Sequence, residues 1–66
     1  MAVIKVIELV GTSNVSWEDA ARAALAGAAK SLHGIIKIEV TNWSASVADG
    51  EITEYLATVK LHFIVD

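Results

Sequence analysis

Residues 35–48, IIKIEVTNWSASVA, decide the fold, because they alternate like a β-strand yet carry apolar side chains in both registers. The even register is predicted to face the protein's own core and consists of Ile36, Ile38 and Val40. Lys37 and Trp43 belong to the odd register, so both are predicted to point away from the core. An outward face that carries a tryptophan indicates contact with a partner.

Two further strands flank this segment in the sequence. Residues 2–10 are rich in β-branched side chains and are followed by a glycine, so they predict a first strand and then a loop over residues 11–15. Residues 51–65 alternate again and predict a third strand. Asp49-Gly50 lies between the second and third strands and is a strong signal for a tight hairpin turn.

A helix is predicted over residues 17–32. Ser16 is expected to be its N-cap, with Asp19 completing a capping box by bonding back to the Ser16 amide. Gly34 is expected to end the helix at the C′ position. Seven alanines between positions 20 and 29 favour helix and leave a smooth surface. We therefore expect the helix to lie close to the sheet.

The order of these elements predicts an α+β fold: a single β-α-β-β domain over residues 1–66, with a three-stranded antiparallel sheet curled around one helix. A chain of 66 residues buries too little surface to be very stable alone, and it has no cysteine for disulfides. Its hydrophobic content of 55% is high for such a small interior. Self-association is the expected source of the missing burial.

Charge and patterning exclude several function classes. A net charge of −3 argues against nucleic-acid binding, and no apolar run approaches the ~20 residues that span a bilayer. Lys5 and Glu8 interrupt the first strand, so it does not resemble a signal peptide, and a cytoplasmic location is expected. No catalytic spacing such as H-E-x-x-H occurs, so the protein is not expected to be an enzyme. The carboxylates are scattered along the sequence. A calcium or magnesium site is therefore expected only where the symmetry of an assembly brings carboxylates of several copies together.

Several segments resemble the dodecin family, and together they cover the whole chain: KVIELVGTS (5–13), SWEDAARAAL (16–25), IEV (38–40) and EYLATVKLHF (54–63). The resemblance implies a hollow homododecamer with the β-α-β-β subunit predicted above. It further implies a small-molecule ligand, in this family a flavin such as riboflavin or FMN, which is stored rather than converted.

The resemblance also implies that the flavin site is degenerate here. In flavin-binding dodecins a tryptophan of the second strand covers the flavin rings, and a glutamine of the third strand bonds their polar edge. The matching positions hold Lys37 and Leu56. A lysine cannot sandwich a ring, and a leucine leaves polar atoms unpaired. Trp43 remains a further candidate ligand contact. A flavin-free shell that binds a cation or another ligand, and a purely structural shell, are the alternatives.

Overall fold

The computed structural model describes residues 1–65 and contains one helix and three strands in the order β-α-β-β. The strands form one antiparallel sheet in the order β1-β3-β2, with α1 on one face. This architecture confirms the predicted fold class. The elements are β1 (Val3–Ser13), α1 (Trp17–Ala29), β2 (Ile35–Ala48) and β3 (Glu51–Val65).

The first strand is longer than predicted. We expected a loop over residues 11–15, but β1 continues through Gly11, which pairs with Ala57, and ends at Ser13, which pairs with Tyr55. A Cβ on Gly11 would overlap the carbonyl oxygen of Ala20 in α1. The glycine is therefore not a turn residue. It is required because the strand and the helix touch at this point, in agreement with the close approach predicted for the alanine-rich helix.

The helix begins where predicted, but Asp19 in its first turn makes a different contact from the predicted one. The Ser16 side chain accepts the Asp19 amide at 3.0 Å, as expected for an N-cap. The predicted hydrogen bond from the Ser16 amide to the Asp19 carboxylate is wrong. The Asp19 carboxylate instead accepts a hydrogen bond from the Ser13 hydroxyl at 2.7 Å. The same hydroxyl oxygen accepts the amide of Val15 at 2.9 Å. Ser13 thus joins the end of β1 to the start of α1.

The helix ends earlier than predicted, at Ala29 rather than at residue 32. The amides of Ser31 and Leu32 both donate to the carbonyl of Ala28, which closes a final turn beyond the helix. Gly34 has a left-handed φ of +74°, but it precedes β2 and is not the C′ residue. Its carbonyl accepts the Ile64 amide at 3.1 Å, so it fixes the start of β2 against β3.

The buried core is small and lies between α1 and the strands β1 and β3. Only Val59 and Leu61 are large side chains with almost no exposure in the part of the chain described. From β2, Ile35 and Val40 pack against this core. Ile36 does not, contrary to prediction, since it is the extra residue of a β-bulge and is 53% exposed. Ala20, Ala24 and Ala57 complete the buried set.

A second bulge changes the face on which Trp43 lies. The pairing of β2 with β3 shifts between Val40 and Asn42, so Thr41 is an extra residue. Trp43 then pairs with Ala57, which is buried against the helix. Since directly paired residues share a face, Trp43 lies on the helix side of the sheet. The prediction that Trp43 and Lys37 point the same way is wrong.

The β2–β3 hairpin extends well past the helix. The chain measures 51 Å along its longest axis, whereas the helix of 13 residues spans only about 20 Å. The hairpin closes through Asp49 and Gly50, whose φ values of 52° and 77° fit the tight turn that the sequence predicted. No helix in residues 1–65 has the length and apolar content needed to cross a membrane.

Candidate functional site

The sheet face that points away from α1, called the outer face below, has a charged centre. The pairing of β2 with β3 places Lys37 beside His62 and Glu39 beside Lys60. On the other side of Lys60, β1 contributes Glu8. Around this centre the outer face is apolar and exposed by 41–58%, at Ile4, Val6, Val10 and Ile64.

A hydrogen bond between His62 and Glu39 occupies the charged centre. His62 Nε2 lies 2.8 Å from Glu39 Oε1, and the two side chains are 19% and 43% exposed. The hydrogen bond from His62 lowers the pKa of Glu39 below its ordinary value, while desolvation opposes the shift and the charges of Lys37 and Lys60 add to it. Glu39 is therefore ionised near neutral pH and bonded to His62.

Lys37 and Leu56 both lie on the outer face, as the sequence predicted, but they are far apart. Leu56 pairs with Ser44 of β2, whereas Lys37 pairs with His62. Leu56 and His62 are six residues apart on β3, or about 20 Å at the rise of a strand. A ligand that touches both positions would therefore need residues from two copies of the chain.

Trp43 lines a different surface, between α1 and β2. A pocket of about 230 Å³ there has Trp43 at one side and Leu25, Ile38 and Val40 among its apolar walls. Glu18 and Arg22 lie at its edge and form an ion pair at 3.8 Å. Trp43 is 50% exposed, so part of its side chain is accessible from solvent.

The other tryptophan has a structural role. Trp17 meets Tyr55 edge to face, with ring centroids 4.7 Å apart and planes at 70°. Its indole Nε1 donates to the carbonyl of Ser44 at 2.7 Å. Trp17 therefore attaches the first turn of α1 to both strands of the hairpin.

The sequence patterns above do not single out the His62–Glu39 pair, although a signal for it exists. Counting both strands back from the Asp49-Gly50 turn pairs position 37 with 62 and position 39 with 60, as the structure shows. That count places a histidine diagonally across from a glutamate on the outer face. Within residues 1–65, no three side chains of the kind that bind metals lie together.

Comparison with known proteins identifies the family. The dodecin family model matches residues 3–66. A mutant of the Thermus thermophilus dodecin is 33% identical, with a TM-score of 0.94 over 100% of this chain and 98% of that chain. The dodecin of Streptomyces coelicolor is 29% identical, with a TM-score of 0.95 over 98% and 93% of the two chains.

A third structure is described by its calcium site. It is the calcium dodecin of Mycobacterium tuberculosis, a calcium-chelating immunodominant antigen with a novel calcium-binding site. It is 31% identical, with a TM-score of 0.86 over 97% of this chain and 91% of that chain. A comparison with curated proteins found no match. The family match over nearly the whole chain and the agreement of the folds lead to one conclusion: the chain belongs to the dodecin family.

Proposed function

We propose that the chain assembles into a hollow homododecamer that binds and stores a small molecule where outer faces of neighbouring copies meet. The family match over residues 3–66 carries this proposal, since dodecins form homo-oligomeric shells around small ligands. The exposed apolar side chains of the outer face and the small core support it, because both leave burial to be gained by association. The proposal includes a cytoplasmic location and no catalytic turnover.

The proposed ligand position combines Lys37 of one copy with Leu56 of a neighbouring copy. Trp43, on the helix side of β2, is proposed to contact a ligand in a different pocket or a neighbouring subunit. Flavin, as FMN or riboflavin, is expected to bind weakly or not at all. The Glu39–His62 pair beside Lys37 presents charge where a stacked ring needs an aromatic face. The nonpolar side chain of Leu56 has no donor or acceptor for the polar edge of a flavin.

A shell that binds a cation is the second candidate function. It is favoured by the similarity to the calcium dodecin of Mycobacterium tuberculosis. Because residues 1–65 of one chain hold no group of three metal-binding side chains, calcium or magnesium would need carboxylates from several copies. A purely structural shell is the third candidate.

Light scattering of the purified protein tests the assembly. The expected mass is about twelve times the 7.0 kDa of one chain. A monomer or a dimer at micromolar concentration would contradict the proposed shell. A melting temperature that rises with calcium and falls back with EDTA would favour the cation-binding candidate.

Quenching of riboflavin or FMN fluorescence tests the ligand site. We expect little quenching by the wild-type protein and strong quenching by the double variant Lys37→Trp with Leu56→Gln. The matched control is Lys60→Trp with Leu56→Gln, which adds a tryptophan elsewhere on the outer face. Submicromolar binding by the wild type would refute the degenerate site. Equal binding by both double variants would refute the assignment of Lys37 to the stacking position.

A further inference from the structure

The charged centre of the outer face combines ionisable groups from all three strands. On β3, His62 and Lys60 lie two residues apart on this face. They pair with Lys37 and Glu39 of β2, and Lys60 also pairs with Glu8 of β1. The β1 partner of His62 is apolar, and α1 packs on the opposite face of the sheet. His62 is therefore surrounded on the outer face by two lysines and two glutamates.

The charges of this centre balance when His62 is neutral. The two lysines contribute two positive charges and the two glutamates contribute two negative ones. Histidine is the side chain whose charge ordinarily changes between pH 5 and pH 8, whereas carboxylates and lysines ordinarily titrate outside that range. A fall in pH across this range therefore adds one positive charge to the centre of each copy.

The proposed ligand position determines where the charged centre lies in the shell. It joins Lys37, which pairs with His62, to Leu56 of a neighbouring copy. In a two-fold contact between identical copies, the reverse contact forms as well. The axis of such a contact lies midway along β3 between Leu56 and His62, about 10 Å from each. Lys60 lies next to this midpoint, so the charged centres of the two copies face each other across the axis.

We infer that the charged centre makes the shell open in mild acid, because protonation of His62 places like charges where two outer faces meet. The inference rests on the proposed shell and describes how its assembly is regulated. The side chain of His62 is only 19% exposed in a single chain, and a second outer face placed over it removes more of the surrounding water. Charges repel more strongly where less water separates them.

The hydrogen bond of 2.8 Å between His62 and Glu39 does not cancel this repulsion. Glu39 attracts the protonated histidine within one chain, and it does so in the separated chain as well as in the shell. Repulsion between the centres of two copies exists only in the shell. The separated chains therefore bind more protons than the shell does, and association weakens as the pH falls. Uptake of one proton per chain lowers the association constant by up to about ten-fold per pH unit for each chain.

Light scattering between pH 8 and pH 5.5, at one fixed protein concentration, tests the inference. We expect a mass of about twelve times 7.0 kDa at pH 8 and less than half of that mass at pH 5.5. The same titration in 1 M NaCl should move the midpoint to lower pH. Salt at this concentration shortens the screening length from about 8 Å to about 3 Å and so weakens repulsion across the axis.

Substitutions identify the group that takes up the proton. His62→Gln keeps a side chain that can donate to Glu39 but does not gain charge, so this variant should retain its pH 8 mass at pH 5.5. His33→Gln is the matched control, because His33 is exposed, lies between α1 and β2, and is outside the charged centre. The control should open at the wild-type pH. Lys60→Gln removes one positive charge from the centre and should lower the midpoint by at least one pH unit.

Three results would overturn the inference while leaving the shell in place. The first is a wild-type mass that stays constant from pH 8 to pH 5.5. The second is a His62→Gln variant that opens at the same pH as the wild type. The third is a His33→Gln variant that no longer opens. A wild-type mass of one or two chains already at pH 8 would instead contradict the shell itself, and with it the inference.

Discussion

Replacing Gly11 with alanine tests whether contact between β1 and α1 limits the stability of the fold. The added methyl group would overlap the carbonyl oxygen of Ala20 and lie 2.9 Å from the Cβ of Ala24. Both neighbours are buried, and the first clash is with backbone, so the helix must move away from the sheet. Overpacking of this kind destabilises by about 1–3 kcal/mol. We expect the upper part of that range, because a side-chain rotation cannot relieve a backbone contact.

Gly27 provides a control with the opposite expected sign. It lies inside α1, it is exposed, and a Cβ added there would meet nothing within 4 Å. Gly27→Ala adds the same atoms and should stabilise by about 0.8–1.0 kcal/mol through helix propensity alone. The pair therefore separates the effect of the close contact from the general effect of replacing glycine.

Thermal unfolding followed by circular dichroism measures both variants. All samples need the same protomer concentration, because association contributes to apparent stability. In a domain of this size, 1 kcal/mol shifts the melting temperature by about 4–8 °C. We expect Gly11→Ala to melt at least ~8 °C below the wild type and Gly27→Ala to melt above it. A Gly11→Ala variant that melts at or above the wild-type temperature would refute the role given to this contact.

Three further predictions concern side-chain contacts. Ser13→Ala removes the hydroxyl bonded to Asp19 at 2.7 Å and should destabilise by about 1–3 kcal/mol in urea unfolding. Trp17→Phe keeps an aromatic ring but loses the indole hydrogen bond of 2.7 Å, so a loss of about 0.5–1.5 kcal/mol is expected in the same assay. Bonding to His62 lowers the pKa of Glu39 in the folded state below its ordinary value of 4.5. The stabilisation that Glu39 contributes is therefore complete above pH 4.5 and is lost as the pH falls through the lowered pKa.

Each of these predictions has a control. Ser31→Ala, at an exposed position beyond the helix, should change stability little, and equal losses at Ser13 and Ser31 would contradict the first prediction. Trp17→Leu removes the ring as well and should lose more than Trp17→Phe. For the third, melting temperatures of the wild type and Glu39→Gln are compared between pH 7 and pH 3. The two curves should converge at acid pH, and a constant difference would contradict the assignment.

The sequence predicts the order and class of the elements because these depend on local patterns. Alternation, the cap at Ser16 and the Asp49-Gly50 turn each act over a few neighbouring residues. The boundaries that failed depend on contacts between elements. Gly11 looks like a turn residue in the sequence, and only the packing of Ala20 against it shows why it is a glycine within a strand.

The faces of the β2 side chains were predicted correctly in one part of the strand and wrongly in another. Counting equal numbers of residues along β2 and β3 from the Asp49-Gly50 turn gives the observed β3 partner of positions 48 and 47, and again of positions 40 to 37. For positions 46 to 42, the partner found by counting is wrong by one residue. The two register shifts cancel, so Lys37 lies on the predicted face while Trp43 does not. No local sequence signal marks these bulges, since their positions depend on the packing of β3 against both of its neighbours.

The extra residue at Thr41 also bears on how proteins of this shape can change by insertion and deletion. Loss of a single codon there would remove the bulge without shortening the turn or the helix. Val40 and Asn42 would then be consecutive, as their partners Val59 and Thr58 already are, and Trp43 would stay paired with Ala57 on the helix side. Such a deletion would therefore change the residue numbering after the bulge but not the face on which Lys37 or Trp43 lies. Alignment of relatives by residue count alone fails across this bulge, whereas alignment by strand pairing holds.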